Sequence, residues 1–151
     1  MRICADSSFL IALYDETDDY HIRATRCFET YVERGPHALL MPWPVLYESI
    51  STRMARVGRR MEKINTHFKT LRTNNKLNFL DDTLYREKAL EKAFPEGRSN
   101  RQYRALSLVD RVIREILSTR AIQIHALATF NTSDFRDVCR DFRKKLLPDP
   151  D

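Results

Sequence analysis

With 151 residues and 42% hydrophobic content, the chain has the size and apolar mass of one domain with a real core. Against 21 Asp and Glu, 26 Lys and Arg leave a formal charge of +5, which is compatible with a polyanionic partner. Three distant cysteines, no membrane-length apolar run and no signal-peptide pattern argue against a disulfide scaffold or a membrane protein, and a cytoplasmic protein in a reducing compartment is expected.

In chain order, short apolar runs at 2–6, 38–41, 76–80 and 122–130 predict strands buried on both faces. Helical patterns fall between them, at 7–14, at 18–34 with Thr17 or Asp18 as cap and Gly35–Pro36 as stop, and at 44–57. Others follow at 59–73 after Gly58, at 82–94, at 105–119 and at 132–145. Strands alternating with helices predict an α/β domain with a short central parallel sheet and right-handed crossovers. The domain is expected to span 1–147, with 148–151 a frayed tail and 95–104 a polar, basic loop. The stripe Trp43, Tyr47, Ile50, Met54 and Val57 has the spacing of a buried helix face. His125, in the last strand, is expected to be satisfied within the core.

Ligands of open parallel sheets bind beyond the carboxyl ends of the strands, and Asp6 ends the first strand in "CADSSFLIAL". Its structural role alone would be a helix N-cap. Glu48 lies early in the helix after the second strand, on a row of small residues with Pro44, Ser51, Thr52 and Ala55, and is expected to face the same edge. A solvated Glu favoured by the helix dipole is the alternative. Asp110 interrupts the apolar row Leu106–Ile113–Leu117, which either an ion pair with Arg114 or a functional role would explain. Asp134 follows the last strand in "ATFNTSDF", where Asn131 as cap and Asp134 as third helical residue would form a capping-box-like turn.

Taken together, four such carboxylates in one pocket would repel one another and would take up protons or bind a hard divalent cation, Mg²⁺ or Mn²⁺. Metal-assisted hydrolysis of a phosphodiester is the chemistry this predicts. Zinc spacing and Gly-rich phosphate loops are absent: the four His are scattered and the chain has only 3 Gly.

"CADSSFLIALYDETDDYH", "PWPVLYESIS", "LSLVDRVIREI" and "ALATFNTSDF" resemble, in order, the four motifs of PIN-domain nucleases. Size and layout resemble the VapC-type toxins of bacterial toxin–antitoxin pairs. The resemblance implies a three-layer PIN-like fold and a Mg²⁺-dependent endoribonuclease, cutting RNA and held inactive by a cognate antitoxin, with a homodimer as the assembly. It also implies that Asp6 and Asp110 are the main metal ligands, with Glu48 a ligand directly or through water and Asp134 completing the cluster. Ser8 and Asn131 would orient the acids, and His21 is read as structural. Arg98, Arg101 and Arg104 are candidate RNA contacts, with Arg59 and Arg60 as further cations and Tyr103 as a stacking residue. The segment 95–104 matches nothing in the family pattern. The helices at 7–14, 18–34 and 59–73 are amphipathic, and any could seat an antitoxin segment. Two other readings stay open: a PIN-type RNA-processing nuclease without antitoxin, and a non-catalytic RNA-binding module whose acids only cap helices.

Overall fold

The computed structural model describes residues 1–94 and 104–149. Five short strands, β1 (Arg2–Ala5), β2 (Ala38–Pro42), β3 (Leu77–Leu80), β4 (Ala126–Ala128) and β5 (Lys145–Leu147), form one parallel sheet in the order β3-β2-β1-β4-β5. The expected α/β architecture is therefore observed. β1 sits at the centre, with Ile3, Cys4 and Ala5 buried, as a parallel strand covered on both faces requires.

The helices are α1 (Ser7–Tyr14), α2 (His21–Phe28), α3 (Trp43–Ser49), α4 (Thr52–Ala55), α5 (Gly58–Thr73), α6 (Thr83–Glu91), α7 (Leu108–Ser118) and α8 (Arg136–Asp141). A π-helical turn at Glu29–Glu33 extends α2, and a 3₁₀ turn at Thr132–Asp134 precedes α8. Gly35 ends the π turn so tightly against the Thr30 and Tyr31 carbonyls that no Cβ fits there. From β1 to β3 the chain steps outward on one side, and from β4 to β5 on the other. Right-handed crossovers thus put α1–α5 on one face of the sheet and α6–α8 on the other. The core joins both layers, with Phe9, Leu10, Val45 and Leu71 from one and Ile113, Ile116, Leu117 and Phe135 from the other.

Several predicted elements differ. Helix 44–57 is broken after Ser49, where Ile50 leaves the helical region at φ −87°, ψ 46°. The break dissolves the predicted stripe: Val45, Leu46 and Ser49 face inward, whereas Trp43, Tyr47 and Val57 are exposed. Helix 132–145 ends at Asp141, because Arg143 turns left-handed at φ 54° and releases the chain into β5. An Arg in that position carries no glycine-like signal, so the strand was invisible to the pattern. Strand 122–130 shrinks to Ala126–Ala128. His125 is exposed at its entrance, its Nδ1 accepting the Arg2 amide at 3.2 Å, so its imidazole is satisfied at the surface rather than in the core. Pro148 and Asp149 follow β5, with Lys145 paired to the Asp149 carboxylate at 3.1 Å. No described helix is long and apolar enough to cross a membrane.

The cysteines are free and buried. Burial pushes the Cys27 and Cys139 thiols up to about 11 and that of Cys4 higher still, which leaves them inert as nucleophiles.

Candidate functional site

The strand order reverses between β1 and β4, and a crevice opens at the carboxyl edge of such a switch point. Register places Ala5 beside Ala128, so the next residues, Asp6 and Thr129, meet there. Both are buried. The Asp6 amide donates to the Ala128 carbonyl at 3.0 Å, holding the junction to the sheet. Its carboxylate is gripped on both oxygens. Oδ1 accepts the Ser7 amide at 2.7 Å and the Ser7 hydroxyl at 3.3 Å, while Oδ2 accepts the Ser8 hydroxyl at 2.7 Å and the Thr129 hydroxyl at 2.8 Å. Asp6 is thus the N-cap of α1 and also a charged group 1% exposed with neutral donors only. Capping alone needs one oxygen at a surface, and nothing in it calls for burying the whole carboxylate.

Asp110 opens α7 rather than interrupting its middle, because α7 begins at Leu108 and not at residue 105. Ser107 is the cap, and Ser107 and Asp110 form a capping box, with the Asp110 carboxylate accepting the Ser107 hydroxyl at 2.7 Å. The expected alternative partner, Arg114, is engaged elsewhere. Burial, and then the charges of Asp6 and Asp134, raise the Asp110 carboxyl above its ordinary value. The Ser107 hydrogen bonds oppose this without cancelling it. Asp6, Asp110 and Asp134 therefore share one electrostatic neighbourhood.

Asp134 closes the 3₁₀ turn after β4. Its carboxylate accepts the Asn131 side-chain amide, and the Asn131 backbone amide donates to Thr129 Oγ1 at 2.9 Å. Ser8 Oγ lies 3.3 Å from Thr129 Oγ1 and accepts the Phe130 amide at 3.0 Å. Ser8 thus bonds Asp6 and Asn131 bonds Asp134, and Thr129, a residue of the fourth motif to which sequence reasoning gave no role, bonds Asp6 as well. Its signal is positional: a hydroxyl directly after a buried strand, one register step beyond the partner of Ala5.

Glu48 is exposed on α3 and makes no hydrogen bond or ion pair among the described residues. The row of small residues expected beside it does not continue, because the helix breaks before Ser51. Nor do the acids converge as a finished cage: among the described residues, no three His, Cys, Asp or Glu side chains form a group able to hold a metal ion. Asp110 is turned onto Ser107, and Asp134 onto Asn131. In donor chemistry, however, the edge fits a hard divalent cation. It presents carboxylate and hydroxyl oxygens, and Asp110 carries a charge that its neighbours disfavour.

A cationic flank adjoins the acids. Arg114 grips Asp137 with two bonds of 2.7 Å and also donates to the Asp134 carbonyl. Arg104 pairs with Asp137 at 3.0 Å and stands 3.8 Å from the Asp134 carboxylate. Arg104 is therefore engaged with the acidic edge and is not a free phosphate contact. Arg98, Arg101 and Tyr103 lie outside the described residues. Arg60 also turns inward, pairing with Asp15 at 2.8 Å. His21 Nδ1–H donates to the Ala12 carbonyl at 2.8 Å, in keeping with a structural part.

Arg114 above all, with help from Arg104, holds the Asp137 carboxyl well below the usual carboxylate range. A depressed folded-state value contributes stability above the ordinary value, near 3.8, that is lost as pH falls below it. Asp137→Asn is expected to cost about 1–2 kcal/mol at neutral pH, discounted for the partial exposure of the pair. Urea unfolding checks this: the gap from wild type narrows when both proteins are taken to about pH 3.

No family model matches the chain, and no curated protein does. Solved structures do. VapC20 of Mycobacterium tuberculosis, described as a sarcin-ricin loop cleaving toxin, aligns with a TM-score of 0.64 at 19% identity, covering 89% of this chain and 94% of that one. VapBC2 of Rickettsia felis, bound to a DNA fragment from its promoter, aligns with a TM-score of 0.60 at 12% identity over 97% of each chain. At these identities the likeness establishes the fold, which is the one that the four sequence motifs imply.

Proposed function

We propose that the chain is a divalent-metal-dependent endoribonuclease of the VapC type, hydrolysing RNA phosphodiesters at the carboxyl edge of β1 and β4. One observation carries the reading: Asp6 is buried with its whole carboxylate at the switch point, and its charge and that of Asp134 both bear on Asp110. A fold that keeps mutually repelling acids at its ligand-binding edge is built to receive positive charge there. The named function of the VapC20 neighbour, cleavage of the sarcin-ricin loop, supports RNA as the substrate class.

In this reading Asp6 and Asp110 would hold Mg²⁺ or Mn²⁺. Asp134 would complete the acidic set, and Glu48 would contribute through water from α3. A divalent ion held there supplies polarisation of a phosphoryl oxygen and lowers the pKa of a water bound to it. Ser7, Ser8 and Thr129 hold the Asp6 carboxylate in place. Asn131 orients Asp134, and Arg104 sets the charge beside it. Asp110 must leave Ser107 or share its carboxylate to serve as ligand, so activity rises with pH through a window above 3.8, the ordinary value that burial raises.

A cognate antitoxin is the expected inhibitor, as the VapC-type resemblance implies, and the likeness to VapBC2 supports it. A homodimer is the expected assembly. Trp43, Tyr47 and Leu108 are exposed and line a cleft of about 380 Å³ with Val109 and Val112, an apolar face suited to a second copy.

The test is cleavage of total cellular RNA by the purified protein with Mg²⁺ and with excess EDTA. Discrete new 5′ ends with Mg²⁺ alone are expected, and RNA left intact in both would refute the nuclease. Millimolar Mg²⁺ is also expected to raise the melting temperature of wild type by a few degrees but not that of Asp6→Asn. Equal shifts in the two proteins would remove Asp6 from the metal site.

A further inference from the structure

An aromatic stack leads from the acidic edge to solvent. Phe130 directly follows Thr129, and its amide donates to Ser8 Oγ, which in turn donates to Asp6. The Phe130 ring packs against buried Phe9 with centroids 6.2 Å apart at 20°. Tyr20, in the turn before α2, lies on Phe130 at 4.5 Å and 12°, nearly parallel. Tyr20 is 46% exposed, and its hydroxyl has no hydrogen-bond partner among the described residues. The Arg23 guanidinium stands 5.9 Å from the Phe130 centroid, which brings positive charge to the rim of the stack.

A tyrosine that only sealed the core would bury its ring and leave its hydroxyl at the boundary. Tyr20 instead ends a stack that begins in the core, with Phe130 as its nearest ring. Its orientation is set twice: by that stack and by the Asp18 carboxylate, which accepts the Tyr20 amide at 3.0 Å. A fixed aromatic plane beside cationic charge, joined to the acidic edge through Ser8, has the composition of a single-strand nucleic-acid platform.

Resting on the nuclease reading above, we propose that Tyr20 is the platform on which an unpaired base of the RNA stacks, next to the phosphate that enters the acidic edge. Phe130 backs the ring, and the Tyr20 hydroxyl is placed to bond a base edge or a ribose. The platform demands a base free of its helix, so the substrate is a single strand or a loop, and a continuous RNA duplex is excluded from the stack.

Binding measured in EDTA keeps the RNA uncut. The probes are a short randomised single-stranded RNA pool and a base-free ribose–phosphate oligomer of equal length, each end-labelled with a fluorophore. Wild type is expected to prefer the pool. Tyr20→Leu, which keeps apolar cover over Phe130, is expected to bind the pool roughly tenfold more weakly and the base-free oligomer unchanged. Tyr20→Trp is expected to restore pool binding, because the indole offers a larger stacking face. Pool binding by Tyr20→Leu equal to wild type overturns the proposal, and so does equal weakening for both probes. Failure of Tyr20→Trp to recover when its circular dichroism is native also overturns it. The nuclease reading has its own control in wild-type cleavage with Mg²⁺: if wild type cuts RNA and Tyr20→Leu behaves as wild type, the platform alone is wrong.

Discussion

Replacing Asp6 by Asn is expected to lower Mg²⁺-dependent RNA cleavage by at least about a hundredfold, with the fold intact. Asn keeps one carbonyl oxygen, enough to accept the Ser7 amide and cap α1. Its amide group faces Ser8 Oγ and Thr129 Oγ1, hydroxyls that can accept as well as donate. The stability cost is therefore small, about 1 kcal/mol. The negative charge that Asp6 places at the β1–β4 junction is lost. Asp110→Asn is expected to lose activity comparably, since it deletes the second acid while Asn can still accept the Ser107 amide. Without divalent ions Asp110 gives a further sign. Its raised folded-state value favours the protonated form, so metal-free stability falls as pH rises through the window above 3.8. Asp110→Asn flattens that part of the profile. Cleavage rates for the three proteins, with thermal melts across pH, check both statements. Equal rates would remove these acids from the chemistry.

Arg60→Leu is expected to lower stability by about 2–3 kcal/mol, the loss of a charge-assisted hydrogen bond in a mostly buried pair. Arg60, on α5, donates to Asp15 at 2.8 Å, and their side chains are 15% and 2% exposed. Asp15 ends α1, its amide bonded to Ile11, and its carboxylate also accepts the Thr17 amide and hydroxyl at 3.1 and 2.7 Å. The pair thus clamps the turn that delivers Tyr20 and α2 to the helix that shields the sheet edge. Truncating Arg60 removes a guanidinium bonded to a carboxylate that is almost wholly buried. Asp15→Asn in the Arg60→Leu background should recover part of the loss, because it removes the buried charge that Arg60 faced while the Thr17 bonds remain possible. Urea denaturation of the single and double variants measures both effects. A loss under about 1 kcal/mol for Arg60→Leu would make the pair equivalent to a surface bridge.

The α/β alternation was readable because buried parallel strands are continuous apolar runs and the helices between them carry caps and stops. β1, β2 and β3 emerged nearly at their predicted bounds, and α1 at its exact ones. The errors have a common origin in backbone choices that no side-chain period reports. Ile50 leaves the helix without a Gly or Pro at its position, so an apparent five-residue stripe lost its face. Arg143 adopts a left-handed conformation that Gly would have advertised, so β5 was read as helix.

At the site, the sequence by itself determined that Asp6 and Asp134 follow strands, because strand ends and helix starts have local signals, whereas Asp110 and Glu48 stood out only by their rows on predicted helices. Only the tertiary structure decided what those acids face. Strand order made β1 and β4 neighbours, which set Thr129 and Ser8 against Asp6 and brought the Asp6 and Asp134 charges to bear on Asp110. It left Glu48 exposed, and it turned Arg104 and Arg60 from free cations into partners of Asp137 and Asp15. The reason is range: capping and periodicity act over a few residues, whereas a carboxylate's environment is set by groups more than a hundred positions away, which meet only when the sheet assembles.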